Sequence, residues 1–175
     1  MGVFSLNNFK DLFEKSTFEL QRLQNCRCHP DYDYLLFNIT VSINHLFELC
    51  IKDSSLDEQS KLECIKKFNP YERPNDVPRA LKNLYNKIPN FPVVNEKQLL
   101  IRQLCNKAKH FKKVEIEKQS KNNISESGVM QSGDQLGAFH YRYHVEVQQN
   151  DVKLDDLLLE IRVEWESFIN ENGSV

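Results

Sequence analysis

The sequence predicts a mainly α protein of the α+β class, a helical bundle with a small antiparallel β-hairpin inserted before the C-terminal helix. Apolar residues recur at helical spacing in several stretches, whereas two stretches between about residues 111 and 148 alternate with a period of two. The chain has 175 residues, 40% of them hydrophobic and 27% charged, which is ordinary for one globular domain. We therefore expect residues 1–175 to form a single helical domain.

The first two helices follow from the periodicity of their apolar residues. The first runs from Asn7 to about Leu23, before Pro30 breaks the chain. Asp33 is the expected cap of the second helix, which runs to about Lys52. One apolar face of this helix contains Leu36, Ile39, Ile43, Leu46, Phe47 and Cys50, and the other contains Phe37, Val41 and Leu49. A helix that is apolar on both sides is usually central in a bundle.

The middle of the chain contains two shorter helices and a loop. Ser55 can cap a third helix from Leu56 to Phe68. The segment that follows, "NPYERPNDVP", is predicted to be a loop because its prolines cannot continue a helix. Another short helix is indicated by the apolar residues Leu81, Leu84, Tyr85 and Ile88.

The next helix opens at Asn95, which has a capping-box spacing with Gln98. It runs to about His110, and we expect it to pack beside the second helix.

The hairpin is predicted at about residues 111–148. Its strands are "FKKVEIEKQ" and "AFHYRYHVEVQ", and the polar connection 120–137 contains three glycines, which favours mobility. In the second strand, one face carries Phe139, Tyr141, Tyr143, Val145 and Val147. Asp155 is the expected cap of a last helix at about residues 154–171.

The cysteines and the N-terminal segment predict a cytoplasmic protein. There are five cysteines, an odd number, and three lie in helical patterns, which is typical of reduced thiols. The sequence has neither a secretory signal nor a run of 18 apolar residues, so we expect no contact with a membrane. "CRCH" could hold a metal, but no second ligand pair at zinc-site spacing follows, and we expect a loop there and neither metal nor cofactor.

The stretch "IRQLCNKAKHFKK" carries the strongest functional signal. Arg102, Asn106 and His110 are spaced four residues apart. Four residues of a helix make one full turn plus about 40°, so the three side chains are expected to line one strip of the helix. The apolar residues Leu100, Leu104, Ala108 and Phe111 lie on the other side. The strip is therefore predicted to face solvent, a cleft or a second subunit.

Charge is unevenly distributed along the chain. Between Arg102 and Lys121, seven cations face two acids, whereas from Asp151 onwards seven acids face two cations. A basic segment attracts phosphates, and its candidate nucleic-acid-binding residues are Lys107, Lys109, Lys112 and Lys113. The acidic segment would repel phosphates or pair with a basic patch on a second copy. A charged strip opposite an apolar face is equally typical of any solvated surface helix.

"RQLCNKAKH" resembles the signature of the HEPN superfamily of helical proteins, which is Arg, a polar residue, four to six residues and His. Arg102 and His110 fit the longest spacing, whereas Gln103 replaces the usual Asn, Asp or His, and Asn106 is our candidate for that role. The chain is also similar to small bacterial proteins of unassigned activity that share an N-x-x-K-H-F helix.

The HEPN resemblance implies metal-independent RNA cleavage, a toxin or phage-defence setting, and a site at a homodimer interface. In this interpretation the 2′-hydroxyl of RNA attacks the adjacent phosphate. His110 would transfer a proton and Arg102 would hold the phosphate through two hydrogen bonds.

A second pair of polar residues lies on the second helix. Asn38 and His45 are seven residues apart on one line, so His45 is either a hydrogen-bonded core residue or, with Asn38, lines the same cleft as His110. His140 and His144 share a strand face but lie about 13 Å apart, too far to share a metal.

Two functions are compatible with the sequence. One is a HEPN-like endoribonuclease or RNA-binding protein. The other is a non-catalytic protein-interaction module that uses the hairpin, the connection 120–137 and the charge asymmetry to bind a protein partner.

Overall fold

The computed structural model describes residues 8–26, 30–109, 118–123, 139–147 and 150–172. In these residues the helices are α1 (Phe9–Asn25), α2 (Asp31–Lys52), α3 (Glu58–Phe68), α4 (Lys82–Tyr85), α5 (Glu96–Lys109) and α6 (Leu154–Asn172), with a 3-10 turn at Pro74–Asp76. The strands are β1 (Lys118–Asn123), β2 (Phe139–Val147) and β3 (Asn150–Lys153). The predicted mainly helical class with a small antiparallel sheet before the last helix is confirmed.

The sheet has three strands where the sequence predicted two. β2 is central, and both β1 and β3 pair with it in antiparallel fashion. β1 occupies part of the predicted connection, because Asn123 pairs with Phe139, and residues 111–117 of the predicted first strand lie outside the described residues. β3 was missed because it is only four residues long; its Asn150 pairs with Val147 of β2.

α1 forms as the sequence predicts, and its cap is a complete capping box. The Asp11 N–H donates to Asn8 Oδ1 over 3.0 Å, and the Asn8 N–H donates to Asp11 Oδ2 over 3.2 Å. The buried face of α1 includes the predicted residues Phe9, Leu12, Phe13, Leu20 and Leu23. At the edge of this face, Lys15 Nζ donates to Ser42 Oγ over 2.9 Å and joins α1 to α2.

α2 is the central helix, but only one of its two apolar faces is in the core. The predicted core face is buried, and α1, α3, α5 and α6 pack around α2. The other face is open, because Phe37 is 45% and Leu49 is 41% exposed. Among the described residues, α2 is long and apolar enough to cross a bilayer, but half of its most apolar window is buried in the fold, as in the core helix of a bundle.

Three predicted caps differ from the observed ones. α2 begins at Asp31, so Asp33 lies in the first turn, and its carboxylate accepts a hydrogen bond of 2.8 Å from the Tyr143 hydroxyl of β2. Asp57 rather than Ser55 caps α3, because the Asp57 carboxylate lies 2.6 Å from the Ser60 N–H. Asp155 also lies inside the first turn of its helix, where the helix dipole stabilises acidic residues.

An aromatic cluster joins α6 to α3. The Trp165 ring stacks on Phe68 with a centroid distance of 3.9 Å and an angle of 3°, and Phe168 meets both rings edge-on. The three side chains are at most 1% exposed. From the sheet side, Val145 of β2 is buried against the same core, as the predicted strand face requires.

Candidate nucleic-acid site on helix α5

α5 is held at its first turn by polar contacts to the end of α3. Asn95 Oδ1 accepts from the Gln98 N–H over 3.0 Å, which confirms Asn95 as the cap. Asn95 also donates through its side chain to the Lys67 carbonyl and through its backbone to the Asn69 carbonyl, over 3.0 and 2.8 Å. The Gln98 side chain does not complete the predicted box. It is buried, and its Nε2 donates to the Ile43 carbonyl of α2 over 3.4 Å.

The buried face of α5 differs from the predicted one. Leu100 is only half-buried, whereas the residues that face the core are Gln98, Ile101, Leu104 and Cys105. At 100° per residue, the centre of this face is about 90° from Arg102, so Arg102 lies at the edge of the contact with the bundle. The expectation that the strip lies opposite the core face is therefore wrong at Arg102. Asn106, one turn later, is exposed as predicted.

Arg102 lies on an aromatic platform. Its guanidinium carbon is 4.8 Å from the centre of the Tyr71 ring, within cation–π distance. Arg102 is half-buried, whereas Tyr71 is only 2% exposed. Within the described part of the chain, no Asp or Glu carboxylate forms an ion pair with Arg102. The guanidinium thus has a fixed position and retains hydrogen-bond donors for an anion.

Tyr71 is itself held by aromatic contacts and by a buried asparagine. Its ring meets Phe47 and Tyr85 edge-on, at centroid distances of 6.1 and 5.9 Å. Asn69, which is fully buried, accepts at Oδ1 from the Tyr71 N–H over 3.1 Å and from the Tyr85 hydroxyl over 2.8 Å. Asn69 Nδ2 donates to the carbonyls of Tyr71 and Pro92, both over 2.9 Å. The platform is therefore rigid.

The electrostatics around Tyr71 keep its hydroxyl protonated. Burial, followed by the nearby Glu48 carboxylate, raises the pKa of Tyr71 to about 12, against the lowering effect of Arg102. Burial also raises the pKa of Tyr85. Glu48, whose charge acts on Tyr71, has its own partner, Lys52 Nζ at 3.3 Å, so this carboxylate is partly neutralised. The guanidinium of Arg102 is the cation that lies over the Tyr71 ring.

The remaining candidate residues lie in three places. Lys107 and Lys109 belong to the last turn of α5, and only their backbone is described. Three of the candidates are outside the described residues: His110, Lys112 and Lys113. Asn38 is exposed and His45 half-buried on the open face of α2, so neither belongs to the core. Among the candidates whose side chains the structure describes, Arg102 is the one that rests on an aromatic ring.

Tyr71 and Asn69 were missed from the sequence. Both lie in the segment predicted to be a loop, and the segment has no helical or strand periodicity. The signal that could have identified them is the aromatic residue directly after Asn-Pro, in a stretch that is otherwise polar. Only the fold shows that Asn69, Tyr71 and Val77 are buried.

The described residues contain no group of three or more His, Cys, Asp or Glu that could hold a metal ion. Cys28 and His29 of the "CRCH" segment are outside these residues. One open cleft of about 420 Å³ lies between α1 and the start of α2, and another of about 370 Å³ lies beside α4. Neither cleft is lined by Arg102.

Comparison of the chain with protein-family models, with curated proteins and with solved structures finds no match.

Proposed function

We propose that Arg102 and Asn106 of α5, together with His110, bind RNA phosphates and cleave RNA without a metal ion, in the manner implied by the HEPN resemblance. The observation that carries the proposal is the position of Arg102. The side chain rests on Tyr71, is partly exposed, and has no carboxylate ion-pair partner among the described residues. A guanidinium held in this way can offer two parallel hydrogen bonds to a phosphate.

The cleavage step uses groups that RNA and the strip supply. The 2′-oxygen forms a bond to phosphorus, the bond from phosphorus to the 5′-oxygen breaks, and the products carry a 2′,3′-cyclic phosphate and a 5′-hydroxyl. The proton lost by the 2′-hydroxyl and the one gained by the 5′-oxygen must be carried by a group that titrates near neutrality. His110 is that group in the strip. Arg102 stabilises the charge that develops on the phosphate.

The basic residues around the strip supply the electrostatic part of binding. Lys107, Lys109, Lys112 and Lys113 would neutralise neighbouring phosphates of a bound strand, independently of its sequence. The toxin or phage-defence role belongs to the same proposal and rests on the HEPN resemblance alone.

The proposal is tested by incubating the purified protein with total RNA, with and without EDTA. We expect cleavage that survives EDTA and products with cyclic phosphate ends. A matched oligonucleotide in which every sugar is 2′-deoxy should bind but remain intact, because the attacking oxygen is missing. Cleavage of that DNA control, or loss of all activity in EDTA, would contradict the mechanism.

A second candidate function, a non-catalytic interaction module, is supported by a different observation. The open face of α2 exposes Tyr34, Phe37 and Leu49 to solvent by 62%, 45% and 41%. Apolar side chains that are exposed on one side of a helix can mark a protein contact.

A further inference from the structure

The cleft beside α4 has an apolar part that is rich in aromatic surface. Its volume is about 370 Å³, within the range of about 300–1,000 Å³ that is usual for small-ligand sites. The apolar part is lined by the buried Val77 and Tyr85 and by the half-buried Ile88 and Phe91. The Phe91 ring stacks on that of Tyr85, with centroids 5.7 Å apart. The cleft therefore offers aromatic surface to a planar ligand.

The polar part of the same cleft consists of side chains that are free to bind a ligand. Asn75, Lys82 and Asn86 are exposed, and their side chains have no hydrogen-bond or ion-pair partner among the residues that the structure describes. Each amide offers both a donor and an acceptor, and Lys82 is the one charged residue among the described residues that line the cleft. Glu72 and Asp76 of the adjoining segment do not line it. This chemistry suits a flat ring with donors and acceptors on its edge and a negative charge nearby.

The cleft between α1 and the start of α2 lacks this combination. It is lined by one cation, Arg22, and one acid, Asp31, so it has no preference for a ligand of either charge. The Arg22 guanidinium already lies over Phe18, whose ring centre is 5.9 Å away. Of the two clefts, the one beside α4 is therefore the candidate for an anionic aromatic ligand.

The cleft beside α4 adjoins the Arg102 site through one short segment and one ring. Tyr71, on whose ring Arg102 lies, is three residues from Pro74, which lines the cleft, and three residues of extended chain span at most about 11 Å. The Tyr85 ring lines the cleft and meets the Tyr71 ring edge-on at 5.9 Å. Arg73, between Tyr71 and Pro74, is exposed and has no ion-pair partner within the described residues. The two sites are therefore close enough for one nucleic-acid strand to occupy both.

We propose that the cleft beside α4 is a nucleobase site, which takes one base of a single strand whose phosphate is held by Arg102. The base contacts Phe91, the amides of Asn75 and Asn86 form hydrogen bonds with its edge, and Lys82 pairs with the phosphate attached to it. A stacked strand advances about 3.4 Å per nucleotide, so this base lies within about three nucleotides of the phosphate at Arg102.

The site narrows the substrate to single-stranded RNA. A base in a duplex is stacked on both faces and paired along its edge, whereas the cleft needs one open face and a free edge. The inference rests on the proposed function, because it gives the strand at Arg102 a second contact. It requires binding and not cleavage, so it is tested with probes that the protein cannot cleave.

The first test measures binding of the four nucleoside 5′-monophosphates to the full chain by isothermal titration calorimetry. We expect at least one to bind in the millimolar range or tighter, and ribose 5-phosphate, which lacks the base, to bind at least about tenfold more weakly. Asn86→Ala should weaken nucleotide binding at least about threefold. The matched control is Asn170→Ala, at an exposed asparagine of α6, which should leave it unchanged. No binding of any nucleotide at about 10 mM, or equal binding by Asn86→Ala, would overturn the base site.

The second test uses a short 2′-deoxy oligonucleotide to ask whether the cleft and Arg102 hold one strand. Asn86→Ala and Arg102→Ala should each weaken its binding, whereas Arg102→Ala should leave binding of the monophosphates unchanged. Asn86→Ala should not change the affinity for the same oligonucleotide annealed to its complement. An Asn86→Ala variant that binds the single strand like the wild type, or that loses as much affinity for the duplex, would overturn the proposal. A wild type that binds the strand through both sites but cleaves no RNA would contradict the proposed cleavage alone.

Discussion

The guanidinium of Arg102 covers the ring of Tyr71, with 4.8 Å between its central carbon and the ring centre. Tyr71 is buried and Arg102 is half-exposed, so the contact lies at the boundary between the core and solvent. An arginine that is already oriented loses less conformational freedom when a phosphate binds. This contact links the fold to the proposed site.

Arg102→Lys should reduce RNA cleavage by at least about tenfold, because lysine keeps the charge but lacks the planar pair of donors that fits a phosphate. Its effect on stability should be small. Arg102→Ala should reduce cleavage further and lower the free energy of unfolding by about 0.5–2 kcal/mol, the range of a partly desolvated cation–π contact. Cleavage kinetics of the two variants measure the role of Arg102 in catalysis, and urea unfolding measures its contribution to stability. Full activity in Arg102→Lys would argue against phosphate binding by this residue.

Asn69→Ala should lower the free energy of unfolding by about 2–4 kcal/mol. The substitution removes the amide that pairs with the Tyr71 backbone, the Pro92 carbonyl and the Tyr85 hydroxyl, and it leaves those buried groups unsatisfied. Asn106→Ala, at an exposed position of α5, is the control and should change stability by less than about 0.5 kcal/mol. Chemical denaturation measures both. A decrease below about 1 kcal/mol in Asn69→Ala would mean that the network does not hold the platform.

The stability of the fold should decrease at high pH. The pKa of Tyr71 is about 12 in the folded state, above the ordinary value of 10.0, so the folded protein binds the proton more tightly. This contribution is complete below pH 10 and is lost as the pH rises from 10 towards 12. Its slope is at most about 1.4 kcal/mol per pH unit for one group. Tyr143, with a pKa also raised to about 12, adds to the effect.

The comparison of Tyr71→Phe with the wild type isolates that contribution. Because Phe does not titrate, the variant should lose less stability between pH 9 and pH 11 than the wild type. Denaturant melts at several pH values provide the measurement. Equal slopes for both proteins would show that Tyr71 does not carry the effect.

The sequence predicts the helices of this bundle better than it predicts which way they face. The spacing of the apolar residues located α1, α2 and α5 correctly, because a period of about 3.6 residues depends on the local sequence alone. The orientation of α5 was wrong because Gln98 is buried, where it donates a hydrogen bond to the Ile43 carbonyl. A hydrophobic pattern counts such a glutamine as a surface residue. Arg102 therefore lies at the edge of the core contact and not on the far side of the helix.

Two other differences have the same kind of cause. α2 is apolar on both sides, but its sequence does not distinguish a side that packs in the core from a side that is open to a partner. Phe37 and Leu49 look like core residues and are exposed. Tyr71 looks like a loop residue and is buried. Both outcomes depend on contacts between segments that are distant along the chain, such as Tyr71 with Phe47.

The lysines of the basic segment should act differently from Arg102. Lys112→Ala and Lys113→Ala, singly, should weaken RNA binding a few-fold without ending cleavage. Removing one lysine–phosphate ion pair should flatten the dependence of the logarithm of affinity on the logarithm of salt by roughly 0.7–0.9 units. Lys107→Ala and Lys109→Ala should behave in the same way. Fluorescence anisotropy over a range of salt concentrations tests this, and Lys10→Ala on α1 is the control. Unchanged slopes in all four variants would show that these lysines do not pair with RNA phosphates.

The most direct test of the proposed site is a comparison of wild type and His110→Ala in EDTA, on one labelled RNA oligonucleotide, with binding and cleavage measured on the same samples. If His110 transfers the proton, the wild type cleaves the RNA to cyclic phosphate ends. The variant should bind the RNA with an affinity within about threefold of the wild type and cleave it at least about a hundredfold more slowly. Its free energy of unfolding should differ from that of the wild type by less than about 0.5 kcal/mol. A wild type that cleaves no RNA, or a His110→Ala variant that cleaves as fast as the wild type, would contradict the account.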